Sequence, residues 1–372
     1  MEKSDLRIID IQDVPELLRN PIDYRKSGLS INNVIGCPLD CSYCIRNDLN
    51  NYDMKKPEIF ISDEDAVEKL IHSQFFREGV TPIQIFNRAT DPFLPKVKLH
   101  TFNILSHLDS AINGNHVLVI TRYKITKEDA IKLNSYRNIK LTILVTYSGI
   151  DDKKIEPLSS DIATNSLKTL YEYATNYKVI MYWRPIISGI NDSNEHIKKA
   201  VSIAKYAHAT VFSGLFYRDS IKDNFVNNGV NEPYSEAARR KILPTKTEES
   251  LIDDVKEKIP NFFKKTSCAV SFLHDLPDYN GHYGVPEICD ICPEKQKDIC
   301  KESFITPTQS DVESLCNELN ITGEFIIKSG SIEFEGLNES ERYFLQHTLG
   351  FQVHDKKYPH VKNRHGKAAI EI

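Results

Sequence analysis

The sequence predicts an α/β fold organised around a parallel sheet. Six short runs dense in Val, Ile, Leu and Phe recur along the first 215 residues. Runs of this composition are typical of strands that are buried on both faces. Helical patterns separate them, and strands that alternate with helices indicate repeated βα units around a parallel sheet. The predicted strands are residues 30–36, 82–87, 116–122, 140–146, 178–184 and 209–215.

Helix-start signals lie between these strands. Ser62 precedes three acidic residues and a helical pattern. Thr126 likewise precedes Glu128, Asp129 and a helical pattern. Ser193 comes before a third segment, whose apolar residues recur at helical spacing. Ser and Thr side chains accept hydrogen bonds from the free backbone amides of a first helical turn. The three residues therefore predict three helix N-termini.

The composition is typical of a globular protein, and the length allows two or three domains or one large domain with appendages. The 372 residues are 40% hydrophobic and 27% charged. The first residues, MEKSDLRIID, lack the apolar core of a signal peptide, and no run of about 18 apolar residues suggests a membrane span. The net charge of −5 argues against a protein that coats nucleic acid, although it leaves room for a local basic groove. We expect a cytoplasmic protein with no membrane partner.

Cysteine usage indicates bound cofactors. The chain has eight cysteines, and six of them lie in two short stretches, residues 37–44 and 289–300. Because no export signal accompanies them, cofactor binding in a reducing cytoplasm explains these groups better than disulfide bonds do.

The first group is a loop of three cysteines that follows the first predicted strand. Cys37, Cys41 and Cys44 have the spacing C-x3-C-x2-C. Three thiolates can hold three irons of a cubane cluster and leave the fourth iron open, which suits chemistry at the cluster rather than simple electron transfer. A zinc site with a fourth ligand from elsewhere is an alternative, although zinc sites usually use C-x2-C pairs. Ordinary loop cysteines are another.

This cysteine spacing, with Tyr43 just before the last cysteine, resembles the radical S-adenosylmethionine (SAM) superfamily. The resemblance implies a [4Fe-4S] cluster whose open iron chelates the amino and carboxylate groups of SAM and yields a 5′-deoxyadenosyl radical. It also implies that the six βα units form a partial (βα)6 barrel, that Tyr43 lies close to the adenine, and that a reductant such as flavodoxin or ferredoxin is a partner.

The residues that follow the second strand are expected to bind the SAM amino group. Ligands of parallel βα folds bind at the carboxyl ends of the strands. Many radical SAM proteins have a glycine-rich turn here, whereas this chain offers side-chain acceptors from Asn87, Thr90 and Asp91. The run from Thr90 to Pro95 is similar to that of spore photoproduct lyase and its relatives. A proline-stiffened turn is the simpler explanation.

Later strand ends supply further candidates. Hydroxyls of Thr146 and Ser148 can meet the SAM ribose or carboxylate, or can simply form a turn. Arg184 opens a stretch that resembles the adenine-side R-P-x-x-P-G-x-N-D segment of many radical SAM proteins, with Ser188 in place of a proline. A guanidinium binds a carboxylate through two hydrogen bonds, so Arg184 is expected to hold the SAM carboxylate. A structural salt bridge is its alternative role.

A second cysteine group lies beyond the predicted strands. Four cysteines that include a C-x2-C pair form a metal signature compatible with zinc or with a second [4Fe-4S] cluster. We favour the cluster, partly because radical SAM proteins often add an auxiliary one in this region. Unligated thiols are the third possibility. The four residues are Cys268, Cys289, Cys292 and Cys300, whereas Cys316 is predicted to be a core residue within a helix.

The predicted organisation has four parts. Residues 1–29 form a lead-in, 30–222 the partial barrel, 223–305 an extension with the second cysteine group, and 306–372 a small α+β module. The extension includes a helix over 248–258. In the module we expect a helix from Asp311 with Ser310 as its N-cap, a hairpin over 324–335, and a helix from Glu339 that ends at Gly350. A basic tail follows. Its cations suit a phosphate or nucleic-acid backbone, or form a solvated terminus. The tail residues are Lys356, Lys357, Lys362, Arg364 and Lys367, interleaved with His354, His360 and His365.

The resemblance implies a radical SAM enzyme that abstracts hydrogen from a substrate, and the lyase-like turn favours a nucleic acid or nucleotide. Spore photoproduct lyases use a barrel cysteine to return a hydrogen atom, and this chain has no cysteine between Cys44 and Cys268. Tyr147, Tyr182 or Tyr217 can substitute, and Tyr217 with Arg218 is expected to face the substrate. One alternative is a peptide- or protein-modifying radical SAM enzyme with an auxiliary cluster. Another is an inactive barrel that binds nucleic acid and is stabilised by zinc or a cluster.

Overall fold

A computed structural model describes residues 6–235 and 240–357. Its helices are short and its strands run from two to nine residues. The strands are β1 Arg7–Ile8, β2 Ile22–Arg25, β3 Gly28–Ile31, β4 Val34–Ile35, β5 Glu58–Ile59, β6 Ile83–Ile85, β7 His116–Thr121, β8 Lys140–Tyr147, β9 Lys178–Ile186, β10 Ala209–Tyr217, β11 Arg240–Ile242, β12 Phe262–Phe263, β13 Phe325–Ile327, β14 Ile332–Phe334 and β15 Val353–Asp355. The α-helices are α1 Asp63–Ile71, α2 Lys98–Ala111, α3 Lys127–Leu133, α4 Ser160–Tyr173, α5 Asn194–Ala204, α6 Asp219–Asn227, α7 Thr245–Val255, α8 Thr266–Leu273, α9 Pro286–Cys289, α10 Glu294–Ser303, α11 Gln309–Glu318 and α12 Glu339–Leu349. Short 3-10 helices cover Ile11–Asp13, Glu16–Leu18 and Ile45–Leu49.

One large mixed sheet organises the chain. Its order is β11-β10-β9-β8-β7-β6-β3-β2, with β12 beside the start of β10. The six strands from β3 to β10 in this order run parallel, which confirms the predicted α/β fold with a parallel sheet. Two antiparallel strands, β2 and β11, lie at its edges. Strand β2 falls inside the predicted lead-in, so the sheet includes chain that the sequence patterns did not mark as strand.

The first predicted strand is two strands in the structure. Strand β3 pairs with β6 in the large sheet, whereas β4 pairs with β5 in a small separate sheet. Between them Asn32 and Asn33 are buried, and their side-chain amides donate to Ser30 Oγ at 2.8 Å and to Asp63 Oδ1 at 2.9 Å. These side-chain hydrogen bonds take the chain out of the large sheet after β3, although the apolar pattern continues into Val34 and Ile35. A single strand over 30–36 was therefore wrong.

The two faces of the sheet are covered by different parts of the chain. Alternate residues such as Val119 on β7 and Ile143 on β8 pack in one core with the helices α2, α3 and α4. Their neighbours, such as Leu118 and Leu144, pack on the opposite face against α8 and the segment that follows it. Both faces are thus buried, as the continuous apolar runs predicted.

Three predicted helix N-termini are confirmed. The hydroxyl of Ser62 accepts a hydrogen bond from the Asp65 amide at 3.0 Å, where α1 begins. Thr126 forms a complete capping box with Asp129 at the start of α3. The hydroxyl of Ser193 accepts a hydrogen bond from the His196 amide at the start of α5. Each cap satisfies a backbone amide that has no partner within its helix.

The C-terminal module differs in detail from its prediction. Its first helix begins at Gln309, because Thr308 and not Ser310 forms the capping box, with Asp311. The hairpin β13–β14 is present, and β15 adds a parallel third strand to it. Helix α12 ends at Gly350, whose φ of +57° is the left-handed geometry that favours glycine.

Other predictions in this region have mixed outcomes. The helix expected over 248–258 covers Thr245–Val255 instead. Cys316 is a buried core residue, as predicted. Of the predicted basic tail, His354, Lys356 and Lys357 are described, and His354 is a buried residue of β15 and not part of a tail. The remaining residues lie outside the described part of the chain: His360, Lys362, Arg364, His365 and Lys367. Across residues 6–235 and 240–357, no helix combines the length and the apolar character that a membrane crossing requires.

The C-terminal module packs closely on the loop at residues 278–282. A Cβ atom at Gly281 would lie 2.5 Å from the carbonyl oxygen of Gly350 and 2.7 Å from the Cα atom of Phe351. The side-chain amide of Gln346 donates to Asn280 Oδ1 at 2.7 Å in the same contact. The glycine thus permits a backbone approach that no other residue allows.

We expect Gly281→Ala to lower the free energy of unfolding by about 1–3 kcal/mol, because the added methyl group must force two backbone segments apart. Chemical denaturation followed by circular dichroism measures this change. Gly229→Ala is the matched control: Gly229 has a similar φ of +66°, but its Cβ would meet only Lys154 Nζ at 3.7 Å. Equal losses in the two variants would attribute the effect to backbone conformation and not to the close approach.

Candidate functional site

The three loop cysteines converge at the carboxyl edge of the large sheet. Cys37 and Cys41 are buried and Cys44 is partly buried, and their thiols lie close enough to interact electrostatically. The amide of Gly36 donates to the carbonyl of Ala89 at 3.2 Å, which ties the start of the loop to the turn after β6. Burial raises the pKa of Cys37, and it raises the pKa of Cys41 well above its usual value.

Arg46 holds the far side of the cysteine loop. Its guanidinium, which is buried, donates to the carbonyl of Cys37 at 2.9 Å and to that of Asn51 at 3.0 Å. The amide of Cys37 in turn donates to the carbonyl of Met54 at 2.8 Å. One side chain therefore fixes the backbone on both sides of the 3-10 helix that follows Cys44.

Two other segments hold the middle of the loop at Ser42. Its amide donates to the carbonyl of Ile155 at 3.0 Å. Asn224 of α6 donates to the Ser42 carbonyl at 2.9 Å, and Asn228, the residue after that helix, donates to the Ser42 hydroxyl at 2.8 Å. The loop is preorganised by chain that is distant in sequence, which is the usual requirement for a metal site with defined geometry.

A buried ion pair lies directly against this loop. Arg122, which follows β7, donates from Nη1 to Glu156 Oε2 at 3.0 Å and to Cys41 Sγ at 3.4 Å. The hydroxyl of Tyr43 donates to Glu156 Oε2 and accepts from Arg122 Nη1. The Arg122 guanidinium lies 5.1 Å from the centre of the Tyr43 ring. Burial alone would lower the pKa of Arg122, but Cys41, Tyr43 and Glu156 raise it well above the usual value.

Sequence reasoning identified Tyr43 in this cluster and missed Arg122 and Glu156. Arg122 is the last residue of the predicted third strand, so the rule that ligands meet strand ends could have found it. Glu156 lies in the loop between β8 and α4, and no local pattern in that loop marks it. The predicted place of Tyr43 beside an adenine stays a prediction.

The turn after β6 brings a carboxylate and a hydroxyl to the same edge. Asp91 is buried and accepts hydrogen bonds from the Thr121 hydroxyl at 2.6 Å, the Arg122 amide at 2.9 Å and the Phe93 amide at 3.0 Å. Burial raises its pKa, while these donors act in the opposite direction. The oxygen Oγ1 of Thr90 is buried without a hydrogen-bond partner among the described residues. Such an oxygen is suited to a bound polar group.

Asn87 belongs to a polar network on the face of β3 and β6 that is turned away from the helices. Its Oδ1 accepts from the hydroxyl of Ser30, and its Nδ2 donates to Oε1 of Gln84. Asn32 also donates to the Ser30 hydroxyl. The side chain is therefore held in one orientation, with acceptor and donor both engaged.

Arg184 lies on the same face of β9 as Tyr182. Its Nη1 donates to the Tyr182 hydroxyl at 3.1 Å, and its guanidinium lies 4.4 Å from the centre of that ring. Within residues 6–235 and 240–357, no carboxylate lies within 4 Å of the guanidinium. The alternative role in a structural salt bridge therefore finds no partner there.

Thr146 and Ser148 lie on either side of Tyr147, where β8 ends. Thr146 pairs with Tyr182 in register and is buried. The hydroxyl of Ser148 accepts from the Ile150 amide at 3.2 Å, and its carbonyl accepts from Asn191 at 2.6 Å. Ser148 thus forms the turn that was its alternative interpretation, and its role towards SAM stays a prediction.

Tyr147 and Tyr217, two of the tyrosines predicted to return a hydrogen atom, lie in different cores. Tyr147 packs with Val145 in the core beneath the helices, and its buried hydroxyl has no hydrogen-bond partner among the described residues. Tyr217 packs in the same cluster as Tyr43 and Cys41, and its hydroxyl donates to the carbonyl of Tyr234 at 3.3 Å. Burial raises the pKa of Tyr217 to about 12, so both hydroxyls stay protonated at neutral pH.

The second cysteine group also converges, on the sheet face opposite the helices. Burial raises the pKa of Cys268 well above its usual value, and the charges of Asp278 and of the other three cysteines add to this effect. All four thiols line one small cavity with Asp278 and His282. The ligand atoms of Cys268, Asp278 and His282 lie within 4.8 Å of one another.

Several hydrogen bonds to sulfur order this second site. The amide of Asp278 donates to Cys300 Sγ at 3.4 Å, and Nε2 of Gln296 donates to the same sulfur at 3.1 Å. His282 Nδ1 and Asp278 Oδ2 lie 2.7 Å apart. Sequence reasoning missed Asp278 and His282, although their spacing of four residues between Cys268 and Cys289 is a visible signal.

Comparisons with known proteins support the fold. No protein-family model and no curated protein matches the sequence. A structure of spore photoproduct lyase complexed with dinucleoside spore photoproduct matches at 13% identity and a TM-score of 0.50, covering 68% of this chain and 86% of that one. SuiB of Streptococcus suis bound to S-adenosylmethionine matches at 13% identity and a TM-score of 0.44, covering 68% and 54%. The chain therefore shares its fold with the lyase structure across about two-thirds of its length.

Proposed function

We propose that the protein is a radical SAM enzyme. Cys37, Cys41 and Cys44 hold a [4Fe-4S] cluster, which when bound supplies the electron that splits SAM to methionine and a 5′-deoxyadenosyl radical. The observation that carries this proposal is one preorganised loop with three neighbouring cysteines, in which Cys41 Sγ lies 3.4 Å from Arg122 at the carboxyl end of β7. Three thiolates suit a cluster with one open iron better than they suit a closed zinc site, which needs four ligands.

In this proposal the sheet from residue 30 to 222 is a partial (βα)6 barrel, and its carboxyl edge is the SAM pocket. The buried hydroxyl oxygen of Thr90 accepts from the SAM ammonium group, with Asn87 and Asp91 beside it. Arg184 binds the carboxylate through its guanidinium, which lacks a described acidic partner. Tyr43 packs beside the adenine.

Thr146 and Ser148 complete the ribose side of this pocket. The residues 223–305 form an extension that closes the opposite sheet face, and 306–372 form a separate module. The role of the barrel in this proposal is to fix the substrate carbon near the 5′ carbon of SAM and to exclude water, which protects the radical from quenching.

The SAM pocket predicts a specific effect of Arg184→Met. The variant should bind SAM about 10- to 100-fold more weakly, since a charge-assisted hydrogen bond contributes about 1.5–3 kcal/mol. Anaerobic calorimetry of the iron-loaded protein measures the affinity. Arg184→Lys should retain part of it. Arg7→Met, which removes an exposed arginine on β1, is the control. Unchanged affinity in Arg184→Met would remove Arg184 from the SAM pocket.

For the substrate we propose a nucleic acid or a nucleotide. The lyase structure that shares this fold has a dinucleoside photoproduct bound, and the turn from Thr90 to Pro95 resembles that of the same enzymes. With no cysteine between Cys44 and Cys268, a tyrosine returns the hydrogen atom to the substrate radical. Tyr217, which shares a core cluster with Tyr43, is the best placed of the three candidates, and Tyr147 and Tyr182 are the others. A reductant such as flavodoxin or ferredoxin would supply the electron that the cluster passes to SAM, and a second electron with a proton would return the tyrosyl radical to tyrosine.

Anaerobic turnover with deuterated substrates tests this substrate class. Deuterium should move from a labelled oligonucleotide into 5′-deoxyadenosine. Transfer from a labelled peptide instead would favour a peptide-modifying enzyme and contradict the nucleic-acid proposal.

The second cysteine group holds an auxiliary [4Fe-4S] cluster in this proposal, and zinc is the alternative. Four thiols around one cavity suit either group. Hydrogen bonds to Cys300 Sγ from a backbone amide and from Gln296 support a thiolate ligand at that position.

A further inference from the structure

Arg122 and Glu156 lie outside the predicted SAM contacts, and yet both side chains lie against the sulfur of Cys41. One nitrogen, Arg122 Nη1, lies 3.4 Å from Cys41 Sγ and 3.0 Å from Glu156 Oε2. The other Glu156 oxygen lies 3.9 Å from the same sulfur. A cation and an anion thus flank one thiol.

This ion pair is buried where burial is costly. The side chain of Arg122 is 17% exposed and that of Glu156 is 5% exposed. Removing two charges from water costs several kcal/mol per ion unless further bonds compensate it. Apolar side chains could join the cysteine loop to the loop at residues 152–156 at lower cost. The pair therefore requires a role that apolar packing does not supply.

Both charges act directly on the electronic state of a group bound at Cys41. Reduction adds a negative charge, which a nearby cation and a hydrogen bond to the thiolate stabilise and a nearby carboxylate destabilises. Hydrogen bonds to sulfur and the net charge around a cluster are among the properties that set its reduction potential. Such effects are strong where the surroundings exclude water.

We infer that Arg122 and Glu156 are positioning residues that set the reduction potential of the iron–sulfur cluster held by Cys37, Cys41 and Cys44. This inference rests on the proposed function. Arg122 raises the potential by donating to Cys41 Sγ. Glu156 orients the Arg122 guanidinium and lowers the potential. With both residues present, the reduction potential lies between the values that either charge alone would give.

The two charges predict shifts of opposite sign. In the iron-loaded protein without SAM, Arg122→Met should make the midpoint potential more negative, and Glu156→Gln should make it more positive. Arg122→Lys should lie closer to the wild type than Arg122→Met. The double variant should lie between the two single variants. Redox titration followed by electron paramagnetic resonance measures each potential, and it requires no turnover.

Lys55→Met is the matched control. Lys55 is a cation beside the same loop, but it pairs with Asp40 at the surface, where solvent screens its charge. Its variant should leave the potential unchanged. Midpoints equal to that of the wild type in both Arg122→Met and Glu156→Gln, or shifts of the same sign, would overturn the inference.

Loss of iron in one variant does not remove the test. If Arg122→Met does not bind iron, the signs of the midpoint-potential shifts in Arg122→Lys and Glu156→Gln decide whether the inference holds. A failed inference leaves the iron content and SAM cleavage intact with unaltered potentials. A failed proposed function appears differently, as a wild-type protein that binds no cluster or does not cleave SAM.

Discussion

Replacing Cys37, Cys41 and Cys44 together with Ala is expected to abolish the formation of 5′-deoxyadenosine from SAM under dithionite. The same variant should lose about four irons per chain, since a cubane cluster contains four. The physical reason is that the loop supplies every protein ligand of the proposed cluster. Chromatography of the anaerobic reaction measures the nucleoside, and a colorimetric assay measures the iron.

Cys316→Ala is the control for this triple variant. Cys316 is a buried cysteine in α11 that belongs to neither cysteine group. It should keep its iron and its SAM cleavage, even if the shortened core side chain lowers stability. Persistent SAM cleavage in the triple variant would show that another site performs the reaction.

The second large effect concerns the other four cysteines. Wild-type protein reconstituted anaerobically should contain about eight irons per chain, and Cys289→Ala with Cys292→Ala should reduce this to about four. The double variant should also melt at a lower temperature than the wild type. The proposed metal group links cysteines of α8, α9 and α10, and metal binding contributes to folding. Metal analysis and thermal denaturation measure the two effects.

The same metal analysis distinguishes cluster from zinc at this site. About four irons with one zinc in the wild type would contradict an auxiliary cluster and leave the SAM-binding cluster standing. Retention of all irons by the double variant would exclude Cys289 and Cys292 as ligands.

The sequence patterns predicted the parallel sheet because its strands are buried on both faces and therefore read as continuous apolar runs. They failed where side chains override the pattern, as at Asn32 and Asn33. Strands of two or three residues, such as β12 and β15, are too short to have a period. The patterns also could not indicate that β2 joins the sheet, since an edge strand in a polar segment lacks the apolar signal.

Site residues were predictable to the extent that they lie at strand ends or share a local spacing. The cysteine spacing marked both thiol groups, and both groups converge in the structure. Glu156 reaches Cys41 from a loop 115 residues away in sequence, so no local pattern connects the two. Strand ends also do not indicate the face that a side chain occupies, because one step along a strand changes the face; Tyr147 lies on the face beneath the helices, and its role stays a prediction.

The most direct test of the central claim is the electron paramagnetic resonance spectrum of the reduced, iron-loaded protein with and without SAM. SAM labelled with ¹⁷O in its carboxylate should change the spectrum and give a hyperfine coupling between the label and the cluster. That coupling should be absent from the triple variant at Cys37, Cys41 and Cys44. An identical cluster spectrum at saturating SAM, without any coupling, would contradict an open iron that binds SAM.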